Sequence, residues 1–218
     1  MNENKIETPL KYKIKLNSNN EKSPCIVMLH GYGSNEEDLF SLVNYFPKNY
    51  IIISFRAPIN LPMGGYAWSN INTTLTDEYT ILQEAKHSLE LIQQSINLLI
   101  NHYSINNKDI SLIGFSQGCI LSWALAINNP KLIRRAAALS GYIVPELLNL
   151  PIKNVNNLLV FNSHGISDEI IPVEKARIII DQIKQNNPNI IYKEYDQGHG
   201  INNDNLNDLL EWVKITSL

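Results

Sequence analysis

Apolar residues follow two patterns that alternate along most of the chain. Short apolar runs, often β-branched, predict buried strands, and longer stretches with apolar residues three and four positions apart predict helices. Residues 10–16 alternate apolar and polar side chains instead, which indicates a strand with one exposed face. The buried strands are predicted at residues 24–29, 50–55, 109–115, 135–139, 158–162 and 190–195, and the helices at 36–46, 78–103, 117–128, 173–185 and 206–214.

This alternation of strands and helices predicts an α/β fold with a mainly parallel sheet and helices on both faces. A chain of 218 residues is long enough to bury one substantial core, and no repeat or linker divides it. We therefore expect a single domain over residues 1–218, in which residues 1–9 form a flexible N-terminal tail. Functional sites in such sheets form beyond the carboxyl ends of the strands.

The sequence Gly114-Phe115-Ser116-Gln117-Gly118 lies at the carboxyl end of a predicted strand and directly before a predicted helix. This is the setting of a nucleophile elbow, in which a Gly-x-Ser-x-Gly turn holds the serine hydroxyl above the sheet edge. The crowded turn requires small residues two positions before and after the serine, and both are glycines here. The N-terminus of the following helix favours the negative charge of an oxyanion. Ser116 is therefore the candidate nucleophile.

Two further polar side chains follow later strands at the same expected edge of the sheet. Asp168 lies in the loop after the strand predicted at residues 158–162. His199 lies between two glycines after the last predicted strand. The order Ser116, Asp168, His199 is that of the α/β-hydrolase triads. A serine hydroxyl is a poor nucleophile at neutral pH, so a histidine must take its proton and return it to the leaving group. An aspartate must orient that imidazole and stabilise its cation.

Other candidates for these roles fit less well. Asp196 also follows the last strand, but it lies too near His199 in the chain to orient the imidazole easily. Ser140 follows a strand without the glycine spacing of an elbow. The four remaining histidines are interpreted as structural or surface residues, with His30 and His164 bonded to loop backbone and His87 and His102 on the long helix.

Six ordered segments between about residue 26 and residue 200 carry recognisable motifs. They are residues 29–39 (LHGYGSNEEDL), 56–58 (RAP), 114–118 (GFSQG), 139–142 (LSGY), 164–172 (HGISDEIIP) and 198–200 (GHG). The set resembles the phospholipase/carboxylesterase family of α/β-hydrolases, which includes the acyl-protein thioesterases. The chain departs from the family's pattern at Cys119, where many relatives have glycine or alanine, and at Ile170-Ile171, where relatives often have two valines.

The resemblance implies an α/β-hydrolase fold and a serine carboxylesterase that hydrolyses carboxylic esters through an acyl-serine intermediate. It also implies that Ser116, Asp168 and His199 are the triad, and that the backbone N–H groups of Tyr32 and Gln117 form the oxyanion hole. Two other functions stay open. One is an acyl-protein thioesterase acting on a lipidated protein, and the other is a catalytically silent binding protein with a hydrolase fold.

Two loops bear on the substrate. The loop at residues 61–68 is apolar and aromatic, and we interpret Leu61, Met63 and Trp68 as substrate-binding residues in a pocket wall. The same loop can equally be a plug that completes the core. The connection at residues 141–157 is too short for a lid domain. We therefore expect an open site without a lid, which favours soluble, small or extended esters.

Composition and charge exclude several other classes of function. The formal net charge is −3, and no basic stripe argues for binding to nucleic acid or to an anionic membrane. The longest apolar runs are too short to span a bilayer, and the polar N-terminus predicts no secretory signal. Two cysteines, Cys25 and Cys119, form neither a disulfide framework nor a metal site, which favours a reducing cytoplasm.

No metal cluster, phosphate-binding loop or dinucleotide fingerprint occurs in the sequence, so we expect no metal and no cofactor. The expected partner is a small-molecule ester or thioester. The choice between a monomer and a homodimer stays open.

Overall fold

A computed structural model describes residues 5–17, 22–71, 77–149, 155–184 and 189–217. Strands in this part of the chain form a central seven-stranded sheet and a small two-stranded hairpin. In chain order they are β1 (Tyr12–Lys15), β2 (Ser23–Leu29), β3 (Ile51–Phe55), β4 (Ile59–Asn60), β5 (Tyr66–Ala67), β6 (Ile105–Phe115), β7 (Ile133–Leu139), β8 (Leu159–Gly165) and β9 (Ile190–Tyr195).

The central sheet has the strand order β1-β3-β2-β6-β7-β8-β9. Strand β1 pairs with β3 in the antiparallel sense, and the other neighbouring pairs are parallel, which confirms the predicted mainly parallel sheet. From β2 the chain moves outward to β3, and from β6 it moves outward in the other direction. The strand order therefore reverses between β2 and β6, and ligand sites of open α/β sheets form beyond the carboxyl ends of strands at such a point.

Helices cover both faces of this sheet, as predicted. Leu99, Leu121 and Ile180 belong to helices packed on one face, and Leu39 and Trp212 belong to helical segments on the other. The α-helices are α1 (Glu78–His102), α2 (Gln117–Asn128), α3 (Val173–Lys184) and α4 (Asn203–Ile215), and short 3₁₀ helices form at Leu39–Tyr45 and Pro145–Leu147.

Side-chain caps fix where two of the helices begin. The Asp77 carboxylate accepts the Thr80 N–H at 2.9 Å at the start of α1, and the Asn202 side chain accepts the Asn205 N–H at 2.9 Å at the start of α4. Since the cap of α4 comes only three residues after His199, it also fixes the far end of the loop that carries this imidazole.

The segment at residues 36–46 was predicted as one helix, but the structure contains a 3₁₀ helix that begins only at Leu39. Polar side chains before it form turns instead of a first helical turn. The Asn35 side chain accepts the Glu37 N–H at 2.8 Å, and the Ser34 hydroxyl donates to Asp38 at 2.7 Å. Asp38, which directly precedes the 3₁₀ helix, has helical φ and forms no side-chain cap.

The segment at residues 56–77, predicted as a loop, contains the β4–β5 hairpin, and residues 72–76 lie outside the described part. Strand β6 begins four residues earlier than predicted, and the end of the helix predicted at 173–185 also falls outside. Residues 5–9 of the predicted tail lie against β1, where Lys5 Nζ donates to the Tyr12 carbonyl at 2.6 Å. The flexibility of the tail stays a prediction.

The connection between β7 and β8 bears on access to the carboxyl edge of the sheet. Within its described residues, 140–149 and 155–158, the only regular element is the 3₁₀ helix Pro145–Leu147. In agreement with the sequence prediction, the described part of this connection contains no lid domain.

Candidate active site

Ser116 lies in the turn between β6 and α2 with φ 54° and ψ −115°, a backbone conformation that residues with a side chain rarely adopt. Its N–H donates to the Leu139 carbonyl of β7 at 2.9 Å, which holds the turn against the sheet. A Cβ atom on Gly114 would overlap the Gly118 carbonyl, and one on Gly118 would overlap the Leu29 carbonyl. The glycine spacing of the motif is therefore a packing requirement of this turn.

The structure brings the three polar residues singled out in the sequence into one line of contacts. His199 Nε2 lies 2.9 Å from Ser116 Oγ, and His199 Nδ1 lies 2.8 Å from Asp168 Oδ2. Because a carboxylate only accepts hydrogen bonds, Nδ1 carries the proton and Nε2 presents its lone pair to the serine hydroxyl. The Asp168 side chain is fully buried, whereas the His199 side chain is 17% exposed.

Asp168 is held as an anion by its neighbours. Burial alone would raise the pKa of this carboxyl, but hydrogen bonds from the Ile171 N–H and from His199 outweigh it and hold the pKa below its ordinary value. The Ile170 and Ile171 N–H groups both donate to Oδ1, at 3.0 and 2.9 Å, which leaves Oδ2 facing the imidazole of His199.

The loops that carry Asp168 and His199 are bonded to each other. The Ser167 N–H donates to the Gln197 carbonyl at 3.1 Å, next to the position where a Cβ on Gly165 would overlap the same carbonyl. Within the second loop, the Gln197 side chain donates to the Gly200 carbonyl at 2.7 Å. These contacts hold the two loops at a fixed separation, so the imidazole meets both of its partners.

The two N–H groups proposed for an oxyanion hole belong to segments that follow different strands, β6 and β2. Gln117 is the first residue of α2, where a backbone N–H has no acceptor within the helix. Tyr32 follows β2 between two glycines, and a Cβ on Gly31 would lie 3.3 Å from the Ser116 Cβ, which places this loop directly beside the elbow. The use of these N–H groups stays a prediction.

Sequence reasoning missed a connection between the elbow and the segment at residues 66–70. The Gln117 side chain accepts the Trp68 N–H at 2.8 Å and donates to the Ser69 carbonyl at 2.7 Å. A single glutamine bonded to backbone 49 positions away leaves no periodic signal in a sequence, so no pattern could have indicated it.

The same segment is bonded to the loop that carries Tyr32. The Gly33 N–H donates to the Tyr66 carbonyl at 2.9 Å, and the Tyr66 N–H donates to the Ser34 carbonyl at 2.8 Å. Arg56 donates to the Tyr66 hydroxyl at 3.1 Å and forms a two-point ion pair with the buried Glu36. The loop after β2 is therefore fixed by backbone and side-chain contacts together.

The three candidate substrate-binding residues lie in different environments. Trp68 is fully buried, and its indole N–H donates to the His30 carbonyl at 2.8 Å. Met63 is 99% exposed in the connection between β4 and β5, and Leu61 is half-buried nearby. The structure therefore favours the core-plug interpretation for Trp68, while substrate contact by Leu61 and Met63 stays a prediction.

The two histidines assigned to loop backbone do bond to backbone. His30 Nδ1 donates to the Gly31 carbonyl at 2.7 Å, and Nε2 accepts the Ala57 N–H at 3.1 Å. Burial lowers the pKa of His30, which keeps this ring neutral. His164 Nε2 lies 2.7 Å from the Ile171 carbonyl, but it also lies 3.3 Å from Asp168 Oδ2, a contact that the sequence did not indicate.

Both cysteines belong to the buried core. Cys25 and Cys119 are buried and form no disulfide, and burial raises the pKa of both thiols. A Cβ on Gly141 would lie 2.6 Å from the Cys119 sulfur, so this thiol fills space behind Ser116.

In the part of the chain that the structure describes, no three His, Cys, Asp or Glu side chains are grouped as a metal site would require. None of the described helices combines the length and apolar character needed to cross a bilayer.

Comparison with known proteins finds a matching family and similar folds. The model of one protein family, described as phospholipase/carboxylesterase, matches residues 13–217. A probable carboxylesterase of Arabidopsis thaliana, SOBER1-like, is 28% identical over 141 residues, which are 63% of this chain and 52% of that protein. The match thus spans about half the length of that relative.

Acyl-protein thioesterase 1 of Kluyveromyces lactis is 28% identical over 163 residues, 68% of this chain and 71% of that protein. Among solved structures, that of esterase PE8 superposes with a TM-score of 0.83 at 22% identity and covers 95% of this chain and 99% of that one. This last likeness shows that the fold is that of an esterase of known structure.

Proposed function

The chain belongs to the phospholipase/carboxylesterase family, and from that premise we propose that it hydrolyses carboxylic esters through an acyl intermediate on Ser116. The observation that carries the proposal is the line of contacts from Ser116 through His199 to Asp168, at 2.9 and 2.8 Å. A binding protein with no chemistry to perform has no need for a serine, an imidazole and a buried carboxylate in this order. The silent binding function is therefore the weaker alternative.

In the first half of the reaction, Ser116 Oγ attacks the ester carbonyl carbon while its proton passes to His199 Nε2. Asp168 stabilises the imidazolium that forms. The oxygen of the former carbonyl gains the negative charge, and the N–H groups of Tyr32 and Gln117 are proposed to stabilise it. The C–O bond to the alcohol then breaks, and Nε2 returns the proton to the departing alkoxide.

In the second half, water attacks the acyl-Ser116 carbonyl and gives one proton to His199 Nε2. The bond from carbon to Ser116 Oγ breaks, and the proton returns to the serine. One ester and one water therefore become one carboxylic acid and one alcohol. Every group used is a side chain or backbone N–H of this chain, so the proposed reaction includes no cofactor.

An acyl-protein thioesterase is a second candidate, favoured by the match to 71% of the Kluyveromyces lactis protein of that name. A thiolate leaves far more readily than an alkoxide because a thiol has a pKa near 8.5. Thioester cleavage would therefore depend less on proton donation by His199 than ester cleavage does. That difference separates the two candidates experimentally.

The test is a series of ethyl esters and matched S-ethyl thioesters of rising acyl length, measured on the wild type and on Ser116→Ala. We expect hydrolysis of short- to medium-chain esters by the wild type and loss of it in the variant. Thioester turnover well above ester turnover at every length would favour the thioesterase. No turnover of either series, with no labelling of Ser116 by a fluorophosphonate, would overturn the proposal.

A cytoplasmic location belongs to the proposal as well, because Cys25 and Cys119 are both free thiols. Assembly as a homodimer stays a prediction.

A further inference from the structure

A second imidazole lies against the carboxylate that contacts His199. His164 is the next-to-last residue of β8, and its side chain is fully buried. Its Nε2 atom lies 2.7 Å from the Ile171 carbonyl oxygen and 3.3 Å from Asp168 Oδ2. Oδ2 is also the oxygen that lies 2.8 Å from His199 Nδ1. One carboxylate oxygen thus faces two histidines.

The surroundings of His164 fix where its proton lies. Nε2 faces a carbonyl and a carboxylate, and both of these groups only accept hydrogen bonds. Nε2 must therefore carry a hydrogen. The other ring nitrogen, Nδ1, is buried without a partner among the described residues, and a proton there would leave an unpaired N–H in the core. The ring is consequently neutral, with its single N–H directed toward Ile171 and Asp168.

Ile171 links this imidazole to the carboxylate a second time. The Ile171 N–H donates to Asp168 Oδ1 at 2.9 Å, while the Ile171 carbonyl accepts from His164. The two side chains and this residue therefore form a closed set of contacts within eight residues of the chain. Without the His164 N–H, the carbonyl would lose a partner and Oδ2 would keep only His199 as a donor.

We propose that His164 is a positioning residue that fixes the orientation and the charge of Asp168, and through it the imidazole of His199. The proposal rests on the function proposed for Ser116, His199 and Asp168. The polar contacts of His164 are with Ile171 and Asp168, so in this proposal it acts on the reaction through the carboxylate. Its N–H dipole offsets part of the negative charge on Oδ2, and its bond to Ile171 keeps the carboxylate from rotating.

The other charged groups near His164 do not change their charge around neutral pH. Glu194 of β9 lies opposite His164 in the sheet and pairs with Arg177 of α3 at 2.6 Å. Hydrogen bonds between the two lower the pKa of Glu194 and raise the pKa of Arg177. This pair therefore adds no titration of its own near neutral pH to that of His199.

The test compares two substitutions of nearly equal length, His164→Met and His164→Gln. The glutamine amide keeps an N–H donor near the position of Nε2, and the methionine side chain has none. In His164→Met, Oδ2 carries more negative charge and stabilises the His199 imidazolium better. We expect the titration midpoint of His199, followed by NMR without substrate, to move upward by about half a pH unit, a size that loss of one hydrogen bond can produce.

Turnover gives a second readout. Loss of alignment in His164→Met should lower kcat about tenfold with little change in KM, because small displacements of reacting groups are costly. The His164→Gln variant should regain most of kcat and the wild-type titration of His199. A merely structural role of His164 would change folding stability in both variants but would leave the titration of His199 where it is.

Several results would overturn the proposal. If folded His164→Met keeps the titration and kcat of the wild type, His164 does not position Asp168. If the glutamine variant is as impaired as the methionine variant, the ring shape matters and the donor does not. Should His164→Met fail to fold, His164→Phe, which keeps a planar ring without an N–H, takes its place. The NMR titration needs no turnover, so it remains decisive if the wild type hydrolyses no ester.

Discussion

His199 Nε2 lies 2.9 Å from Ser116 Oγ, although the two residues are 83 positions apart in the chain. They follow β9 and β6, which are separated in the sheet by β7 and β8. The contact is made because the loops after these parallel strands lie at the same edge and reach toward each other. The distance is that of a hydrogen bond, so the proton can pass directly between the two atoms.

Replacing Ser116 by alanine should lower kcat by roughly 10⁴-fold or more, since no other group supplies the nucleophile. The matched control is Ser140→Ala, because Ser140 also follows a strand, is buried and has positive φ. A fluorophosphonate probe analysed by peptide mapping should label Ser116 in the wild type and in the control. Labelling at Ser140 instead of Ser116 would show that Ser116 is not the nucleophile.

The rate should rise with pH on the acidic side, because only the neutral imidazole of His199 can accept the serine proton. Asp168 stays ionised through that range, since its pKa lies below the ordinary value.

Asp168→Asn should lower kcat by about 10⁴-fold at every pH by favouring the wrong tautomer of His199. Asp196→Asn is the control, and an equal loss there would transfer the role to Asp196. The measurement is kcat and kcat/KM, each from pH 5 to 9.

Gln117 has two roles to separate, one for its side chain and one for its backbone N–H. Gln117→Ala leaves the Trp68 N–H and the Ser69 carbonyl without their partner, so the free energy of unfolding should fall by about 1–3 kcal/mol. Turnover should stay within about tenfold of wild type, because the N–H that faces the oxyanion is kept.

Gln117→Pro removes the same side chain and also the N–H, at a helical position that tolerates proline. The difference from Gln117→Ala should approach the ~10²–10³-fold typical of a lost oxyanion donor. Circular dichroism confirms folding of both variants before the comparison. Equal losses in kcat would mean that the side chain of Gln117, and not its N–H, affects the reaction.

Trp68 and Met63 should respond in opposite ways to truncation. Trp68→Ala removes a fully buried indole and its bond to His30, so it should cost about 3–5 kcal/mol of stability. Met63→Ala removes an exposed side chain and should leave the free energy of unfolding within about 0.5 kcal/mol. Any shift in acyl-length preference is expected from Met63→Ala. A stable Trp68→Ala variant with altered acyl preference would restore the pocket-wall interpretation.

The pair formed by Glu36 and Arg56 should make stability depend on acid. Burial raises the pKa of Glu36, but the Arg56 guanidinium outweighs this and holds the pKa below the ordinary value. A carboxyl with a lowered pKa contributes its full stability above the unfolded value, near 4.3, and loses it as pH falls through the folded value. The Tm of the wild type should therefore drop below about pH 4.3.

In Glu36→Gln the Tm at pH 7 should be lower, and its further fall in acid should be smaller than in the wild type. The control is Glu37→Gln, since Glu37 lies beside it on the surface with an exposed ion pair to Lys13. Equal acid dependence in the wild type and Glu36→Gln would contradict the role of this pair.

The alternation of strands and helices, the elbow around Ser116 and the order of the three candidate residues could be predicted from the sequence. Each depends on local signals: apolar runs, helical spacing and glycines in a crowded turn. The 3₁₀ helix at Leu39–Tyr45 could not be predicted, because the side chain of Asn35 takes a backbone N–H that a longer helix would use and Asp38 supplies no side-chain cap.

The contacts around the candidate site escaped prediction for a related reason. The bond of Gln117 to Trp68 depends on which segments meet after folding, and the contact of His164 with Asp168 depends on how one loop turns back on its strand. Neither contact leaves a pattern in the sequence. Burial of Trp68 is a similar case, since an aromatic residue after a strand fits a pocket wall and a core equally well.

The segment from Tyr66 to Ser69 is bonded on one side to the loop that carries Tyr32 and on the other to the side chain of Gln117. It therefore ties these two segments of the chain together. The N–H groups of Tyr32 and Gln117, proposed as the oxyanion donors, therefore lie on two segments that are both bonded to the same stretch of chain. The exposed turn at residues 61–65 lies outside this tie. Substitutions in that turn should therefore leave the spacing of the two proposed donors unchanged.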